Sequence, residues 1–532
     1  MRKTQTLIRL TASISAFAVV FSLTGCSFYG LFPVEHSYPW IGSDAAIKKA
    51  DYSKVTAYDV SKNETKRALP SSGNVKTLVL PIEFSDFKFS DKNLSELNTA
   101  FNGSSEETGY WESVSSFYQK SSFGKVSLSS VVATPYDTGM KAKDYMNSPS
   151  TTAKKTVEAL RKCVNKYKDS GHSTKDFDFD NDGFIDGVYL IYACPNYASS
   201  EGMGINLQSE YWAYTYWDFQ GTASLTSPNA RSYVWASVDF LHRGSENGVD
   251  AHTYIHETGH LFGLDDYYNY DYIDQNVNTD EKYRNFCPVG GFDMMDFNIL
   301  DHNAFSKFSL GWSQPYVVTP DLEFPVTMEL DDSSIAGQCL IIPDSDSKTS
   351  FNGTAYGEYL LVELYAPTQL NIQDSSNLYL DYPKGYSKPG VKIFHVDSRL
   401  YKNVGQHFSN YDEYPTLEKL ANSDPSSNYK IGASNTPSRS QTSGNRLLHL
   451  LESNGKLTFD KGEPRKYAVA DNSTLFTPEE GRNSFTMQKF SSFFENGEYF
   501  NNGKPFDYSV KINSIKTDNG VAKASITINK GL

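Results

Sequence analysis

One short stretch of this chain holds the residue types of a metal site that can hydrolyse amide bonds. It runs from His256 to Asp266 and reads H-E-x-x-H-x-x-G-x-x-D. His256 and His260 are four residues apart, so on a helix they share one face and can hold the same metal ion. Glu257 follows the first histidine and can reach a water on that metal. The spacing predicts a zinc site with Glu257 as its general base.

The third ligand has to come from the end of the motif. Gly263 can take backbone angles that other residues resist, so the chain can turn there and bring a carboxylate back to the histidines. Asp265 and Asp266 compete for this position. We favour Asp266 because it lies ten residues after His256, where the longer motif places its third ligand. Three protein ligands leave one zinc position for water or substrate, which is typical of catalytic zinc sites.

The motif region has two other interpretations. The helix could be an ordinary buried amphipathic helix whose histidines only hydrogen-bond to the backbone. His252, one turn before His256, could be mistaken for a ligand. Because the motif already supplies three ligands, His252 is predicted to cap the helix or to contact solvent.

A second acidic stretch has the ligand spacing of a calcium loop. It reads D-x-D-x-D-G-x-x-D, and its candidate ligands are Asp178, Asp180, Asp182 and Asp186. Alternate oxygen ligands with Gly183 at a sharp turn suit calcium. The start matches an EF-hand loop, but the twelfth position is Tyr189 instead of Glu, and the loop leads into a strand-like run. We predict a structural Ca²⁺ site; the alternative is an acidic, solvated turn.

The N-terminus has the pattern of a bacterial lipoprotein signal. Basic residues precede an apolar run at 10–23, which is too short and too early for an ordinary membrane-spanning helix. The run leads into Leu23-Thr24-Gly25-Cys26, which resembles a lipobox, where the cysteine is acylated and the preceding peptide removed. We predict a signal peptide at 1–25 and a lipid anchor at Cys26 on the outside of a bacterial cell membrane. The alternative is an ordinary signal peptide that contains a cysteine.

Composition narrows the range of partners. The formal net charge of −14 argues against nucleic acid and anionic membrane surfaces as direct partners. Besides Cys26, the mature chain would have four cysteines, which are Cys163, Cys194, Cys287 and Cys339. These are too few for a disulfide scaffold, and the sequence leaves their pairing open.

The tyrosine-rich run at 267–272 can bind peptides or sugars, but packing is the favoured interpretation.

The periodic segments predict an α/β (α+β) domain with a mixed sheet, followed by a β-sandwich-like region. Apolar runs at 78–84 and 188–193 are typical of strands, and 151–168 has the spacing of an amphipathic helix. After Pro315, strand-like runs dominate. The predicted divisions are a tether or short pro-segment at 26–74, a catalytic domain at 75–315, a β-rich domain at 316–408, a loop or linker at 409–445 and a C-terminal β-rich module at 446–532.

Two motifs downstream of the histidines carry a family resemblance. Residues 289–296 read VGGFDMMD, and residues 305–312 read FSKFSLGW. Together with HETGHLFGLDD, they make the region 75–315 resemble the immune inhibitor A-type secreted bacterial metalloproteases, a metzincin-like group. The match beyond residue 400 is loose.

The resemblance implies a metzincin-like catalytic domain and a role for each motif residue. It places zinc on His256, His260 and Asp266, makes Glu257 the base, and makes Met295 the methionine of the Met-turn below the metal. Met294 is the alternative for that turn. Some metzincins place a tyrosine two residues after this methionine, where it assists at the metal. Here that position is Phe297, so the group that stabilises the oxyanion besides zinc stays open.

These observations lead to one expected function and two alternatives. We expect a monomeric cell-surface zinc metalloendopeptidase that acts on proteins or peptides outside the cell. The first alternative is a surface-displayed binding or adhesion lipoprotein whose protease-like domain is accessory. The second is a hydrolase that cleaves another kind of bond with the same site.

Overall fold

The structure is a computed structural model of the chain. It describes residues 47–49, 68–146, 152–218, 221–270, 288–296, 299–313, 315–318, 322–345, 355–376, 379, 385–404, 407–411, 427–436, 440, 445–457 and 470–531. The predicted signal peptide and Cys26 lie outside these residues, as do Cys287 and Phe297.

Strands and short helices alternate in the first half, and strands dominate the second. The strands are β1 (Ile47–Lys49), β2 (Gly73–Glu83), β3 (Val126–Val132), β4 (Tyr136–Asp137), β5 (Phe184–Ile185), β6 (Val188–Tyr192), β7 (Tyr214–Trp217), β8 (Asn229–Ala230), β9 (Ser232–Ser237), β10 (Tyr316–Val318), β11 (Val326–Asp331), β12 (Leu340–Pro343), β13 (Glu358–Tyr365), β14 (Gly390–Asp397), β15 (Leu400–Val404), β16 (His407–Tyr411), β17 (Ser427–Ile431), β18 (Leu448–Leu450), β19 (Ser484–Thr486), β20 (Tyr508–Asp518) and β21 (Val521–Lys530). The α-helices are α1 (Asp91–Asn102), α2 (Ser105–Thr108), α3 (Val114–Ser121), α4 (Ala142–Met146), α5 (Thr152–Asp169), α6 (Tyr197–Gly202), α7 (His252–Leu261), α8 (Ala304–Ser309), α9 (Ser333–Ala336) and α10 (Ile372–Ser376).

A mixed sheet forms the centre of the N-terminal half. Its order is β3-β2-β6-β9-β7, with β4 also paired to β2. Only β7 runs antiparallel to its neighbour, and it lies at one edge. The central strand β6 is buried throughout, because Tyr189 and Ile191 face one core and Leu190 and Tyr192 face the other. This two-sided burial explains its continuous apolar run, as in parallel sheets covered on both faces.

Helix α7 carries the histidine motif and packs against β9, β7 and α3. Tyr254, Ile255 and Leu261 are fully buried on its core side. The Tyr118 hydroxyl donates to the Ile255 carbonyl at 2.7 Å, and the Tyr189 hydroxyl lies 2.9 Å from the Thr258 hydroxyl. The apolar side therefore fixes the helix in the core, which leaves the opposite side for the histidines.

Two stacked sheets form most of the C-terminal half, and β16-β15-β17 form a separate three-stranded sheet. The first has the order β1-β10-β12-β13-β14-β18, and the second has the order β11-β21-β20-β19. Leu361 and Phe394 on one face of the first sheet join the core beneath α7. Leu360 and Ile393 on its other face pack against the second sheet. The first sheet is thus a shared wall between the two halves.

Both of these sheets combine strands from the predicted segments 316–408 and 446–532. β14 pairs with β18, and β11 pairs with β21. The segment 409–445 therefore does not separate two independent sheets. Part of the predicted tether also belongs to the fold, since β1 pairs with β10 and the amides of Ala68 and Leu69 donate to the Leu261 carbonyl.

The predicted mixed α/β class is confirmed, with several sheets and a β-rich C-terminal region.

Cys163, Cys194 and Cys339 are buried free thiols, so no disulfide joins these three. Among the described helices, none has the length and apolar character needed to cross a membrane.

Candidate metal centre

The two histidines of the motif project from the same side of α7. Their ring centroids are 5.1 Å apart, as the spacing of four residues requires. Helix α7 ends at Leu261, and Gly263 then adopts a φ of +90°. This left-handed conformation suits glycine and turns the chain back toward the histidines. The structure thus contains the turn that the motif predicts.

Asp266 is the carboxylate that the turn brings to the histidines. Its Oδ1 lies 3.0 Å from His256 Nε2 and 3.3 Å from His260 Nε2. The ligand atoms of these three residues lie within 4.8 Å of one another, a group to which Asp265 does not belong. Burial alone would raise the pKa of Asp266, but the two histidines outweigh it and hold that pKa well below its ordinary value. The carboxylate is therefore charged, as a metal ligand must be.

The other ring nitrogen of each histidine is held by the backbone. His256 Nδ1 lies 2.8 Å from the Met294 carbonyl, and His260 Nδ1 lies 2.8 Å from the Leu264 carbonyl. A carbonyl only accepts, so each Nδ1 carries a proton, and Nε2 is the nitrogen of each ring that faces Asp266 and would coordinate a metal ion. The backbone hydrogen bonds at Nδ1 thus hold both histidine rings in the orientation in which Nε2 faces Asp266. The donor set of two imidazole nitrogens and one carboxylate fits Zn²⁺.

Glu257 is buried beside this group and is held by a residue far away in the sequence. Its side chain is 5% exposed. The Thr215 hydroxyl on the edge strand β7 lies 2.8 Å from Glu257 Oε2 and 3.1 Å from its backbone carbonyl. Burial raises the pKa of Glu257 above its ordinary value. Nothing in the sequence pointed to Thr215, because only the packing of β7 against α7 brings it there.

The methionine turn lies directly below α7. A Cβ on Gly259 would sit 2.4 Å from Met295 Sδ, so the close approach of the turn requires glycine at this helical position. Met295 and Met294 are both fully buried. Met295 supplies the side chain against the helix, whereas Met294 supplies the carbonyl that accepts from His256.

The C-terminal sheet helps to hold this turn. Asp293 Oδ1 accepts from the Met295 amide at 2.9 Å, and Asp293 Oδ2 accepts from the Asn303 side chain. The next amide, of Ala304, donates to Glu363 Oε2 on β13 at 2.7 Å. Glu363 in turn lies 3.3 Å from Lys392 on β14. A continuous set of polar contacts therefore runs from the shared wall to the floor of the site.

The tyrosine-rich run after the motif has two different roles. Tyr267 is fully buried, and its hydroxyl lies 2.6 Å from the Ser306 hydroxyl, in line with the packing interpretation. The Tyr270 hydroxyl instead donates to Asp266 Oδ2, and the Tyr268 hydroxyl lies 3.0 Å from that of Tyr270. The tyrosine content was visible in the sequence, but the orientation of each ring was not.

His252 differs from its prediction. It is 7% exposed, and its ring lies 4.6 Å from that of Tyr379, so the predicted solvent contact is wrong. The side chain of Asp250, not that of His252, accepts from the first amide of α7, at 2.9 Å. Tyr379 from the C-terminal half covers this end of the helix, which no local pattern could indicate. His252 is not a member of the metal-ligand group.

The acidic loop gathers three of its four predicted ligands. Carboxylate oxygens of Asp178, Asp180 and Asp186 lie within 4.8 Å of one another. Asp182 Oδ2 is instead 3.5 Å from Arg231 Nη2. Burial, together with the neighbouring carboxylates, raises the pKa of Asp186 to about 8. A divalent cation would relieve this repulsion between carboxylates.

Calcium is expected to stabilise the fold through this loop. If the loop binds with a Kd of ~10⁻⁴ M, ~10 mM Ca²⁺ should raise the free energy of unfolding by about 2.7 kcal/mol. Asp186→Asn should abolish the calcium-dependent rise in Tm. Asp176→Asn should preserve it, because Asp176 is exposed and pairs with Lys76 outside the loop. Thermal unfolding in calcium and in a calcium chelator measures both; an equal Tm for the wild type in the two conditions would refute the site.

The candidate centre combines three converging side chains that could hold a metal ion, a buried carboxylate on the same helix and a methionine packed below it. Sequence spacing predicted the ligands, and the tertiary structure adds Thr215, Tyr270 and the backbone carbonyls around them. A scan against protein-family models and a search of curated protein sequences both returned no match to this chain.

Proposed function

We propose that this protein is a zinc metalloendopeptidase. The observation that carries the proposal is the convergence of His256, His260 and Asp266 beside the buried Glu257. Three ligands of this type leave a zinc position for a water or a substrate. A glutamate adjacent to the first ligand is the general base that such hydrolytic sites use.

The resemblance to the immune inhibitor A-type metalloproteases is also part of the proposal. A mixed sheet, a helix bearing the histidines and a methionine turn against Gly259 are what a metzincin-like domain requires. We propose that residues 75–315 form this domain. We further propose that Cys26 anchors the chain outside a bacterial cell, with the acidic loop binding Ca²⁺.

The residues of the chain supply the proton transfers of hydrolysis. A zinc ion on the three ligands would supply Lewis acidity to a water and to the scissile carbonyl. Glu257 accepts a proton from the attacking water and passes it to the leaving amine. Burial of Glu257 raises its pKa toward the range in which both transfers are efficient. Thr215 orients the carboxylate by its hydrogen bond to Oε2.

The edge strand β7 favours a peptide over a small substrate. In the part of the chain that the structure describes, β7 ends its sheet and pairs only with β9. The same strand contacts Glu257 through Thr215. An edge strand of a sheet can bind an extended peptide as an additional strand, with main-chain hydrogen bonds to its backbone. An extended substrate along β7 would therefore pass close to the proposed base.

The test is cleavage of a peptide library by purified protein. We expect cleavage that a zinc chelator abolishes and that added zinc restores. Metal analysis of the same preparation should show about one zinc per chain at the site, besides any calcium. Cleavage that persists in chelator, with zinc removed, would show that another site hydrolyses the peptide. Zinc binding without cleavage of any peptide would contradict the endopeptidase function.

A further inference from the structure

The two oxygens of Asp266 have different partners. Oδ1 lies between the Nε2 atoms of His256 and His260, at 3.0 and 3.3 Å. Oδ2 accepts a hydrogen bond from the Tyr270 hydroxyl. A charged carboxylate only accepts, so the direction of this bond is fixed, and Tyr270 can in turn accept from the Tyr268 hydroxyl at 3.0 Å. One oxygen therefore faces the metal position, and the other faces a chain of two hydroxyls.

Residues from the C-terminal half hold Tyr270 in place. The Tyr270 amide donates to Thr436 Oγ1 at 3.0 Å. The side chain of Asn435 donates to the Tyr267 carbonyl at 2.9 Å. The rings of Tyr268 and Tyr270 also contact each other, with centroids 4.7 Å apart. The tyrosine hydroxyl is therefore positioned by backbone and ring contacts that do not depend on Asp266.

From these contacts we propose that Tyr270 is a positioning residue that keeps Asp266 a monodentate ligand. The inference deepens the proposed function, since it assumes that His256, His260 and Asp266 hold a metal. A carboxylate that used both oxygens would occupy two coordination positions and crowd the one intended for water or a carbonyl oxygen. The Tyr270 hydroxyl occupies Oδ2, so only Oδ1 faces the metal. Outer hydrogen-bond partners of this kind orient metal ligands and tune the metal.

The test compares Tyr270→Phe with Tyr267→Phe in the full-length protein. Each variant removes one hydroxyl from the same loop, but the Tyr267 hydroxyl lies against Ser306, away from the metal. Zinc affinity is measured by competition with a coloured chelator, and ligand geometry is measured by the visible absorption of the Co²⁺-substituted protein. Tyr270→Phe should weaken zinc binding about 10- to 100-fold. Its cobalt spectrum should shift from the intense tetrahedral form to the weaker form of a higher coordination number.

The control variant and the wild-type protein distinguish failure of the Tyr270 inference from failure of the proposed function. Tyr267→Phe should keep the wild-type zinc affinity and cobalt spectrum, even if it lowers Tm. A Tyr270→Phe protein with wild-type affinity and spectrum would overturn the inference, whatever its peptidase activity. Wild-type protein that binds one cobalt tightly but cleaves no peptide would overturn the proposed function and leave the role of Tyr270 intact. Wild-type protein that binds neither zinc nor cobalt would overturn both.

Discussion

Glu257→Gln is expected to lower kcat/KM for peptide hydrolysis about 100- to 10,000-fold, the range for a lost general base. The glutamine amide cannot accept the proton of the attacking water. It nevertheless has almost the same shape as the glutamate carboxylate. Its oxygen can still accept from the Thr215 hydroxyl, which now lies 2.8 Å from Oε2. Zinc affinity should therefore stay close to that of the wild type. Peptide kinetics and metal analysis on the same samples measure the two effects separately.

Glu201→Gln is the matched control for this change. Glu201 is exposed on α6 and is not a member of the candidate metal group, and its substitution removes the same charge as Glu257→Gln. It should leave kcat/KM, zinc content and Tm unchanged. If Glu257→Gln retained wild-type peptidase activity with a full complement of zinc, Glu257 could not be the base.

Asp266→Ala is expected to lose zinc. The substitution removes the only carboxylate of the three-residue group and leaves the two imidazoles as its remaining members. The affinity should fall by more than the roughly 10- to 100-fold that loss of an outer hydrogen-bond partner costs. Peptidase activity should fall with zinc occupancy and recover in part at high zinc concentration. Titration with a competing chelator measures the affinity directly.

Asp265→Ala tests the choice between the two adjacent carboxylates. Asp265 is not part of the ligand group, so its removal should keep zinc bound. Thermal unfolding of both variants shows whether either change simply unfolds the loop. Zinc loss in Asp265→Ala together with zinc retention in Asp266→Ala would mean that the turn after α7 presents the other aspartate.

The grouping of the candidate ligands was predictable from the sequence because it is local. His256 and His260 lie on one helical face by the geometry of 3.6 residues per turn. Gly263 permits the turn that returns Asp266 to them, and its φ is +90°. The strand β6 was also predictable, because a strand buried on both faces needs an apolar side chain at nearly every position.

The residues around the ligands were not predictable, because their contacts cross long distances in the sequence. Thr215 reaches Glu257 only because β7 packs against α7. Thr436 supports Tyr270 from a segment that the composition predicted as a loop or linker. Turn-rich composition indicates where the chain lacks a regular period, but it carries no information about what the segment touches.

The sequence by itself therefore determined the proximity of the proposed reacting residues, His256, Glu257, His260 and Asp266, because one helix and one turn are enough to bring these side chains together. Only the tertiary structure decided how they are held. The shared sheet places Glu363 near the methionine turn, β7 brings Thr215 to Glu257, and Asn435 and Thr436 fix the tyrosine loop. These partners depend on sheet pairing and core packing among distant segments. Many different sequences can satisfy that pairing and packing, so no local pattern encodes them.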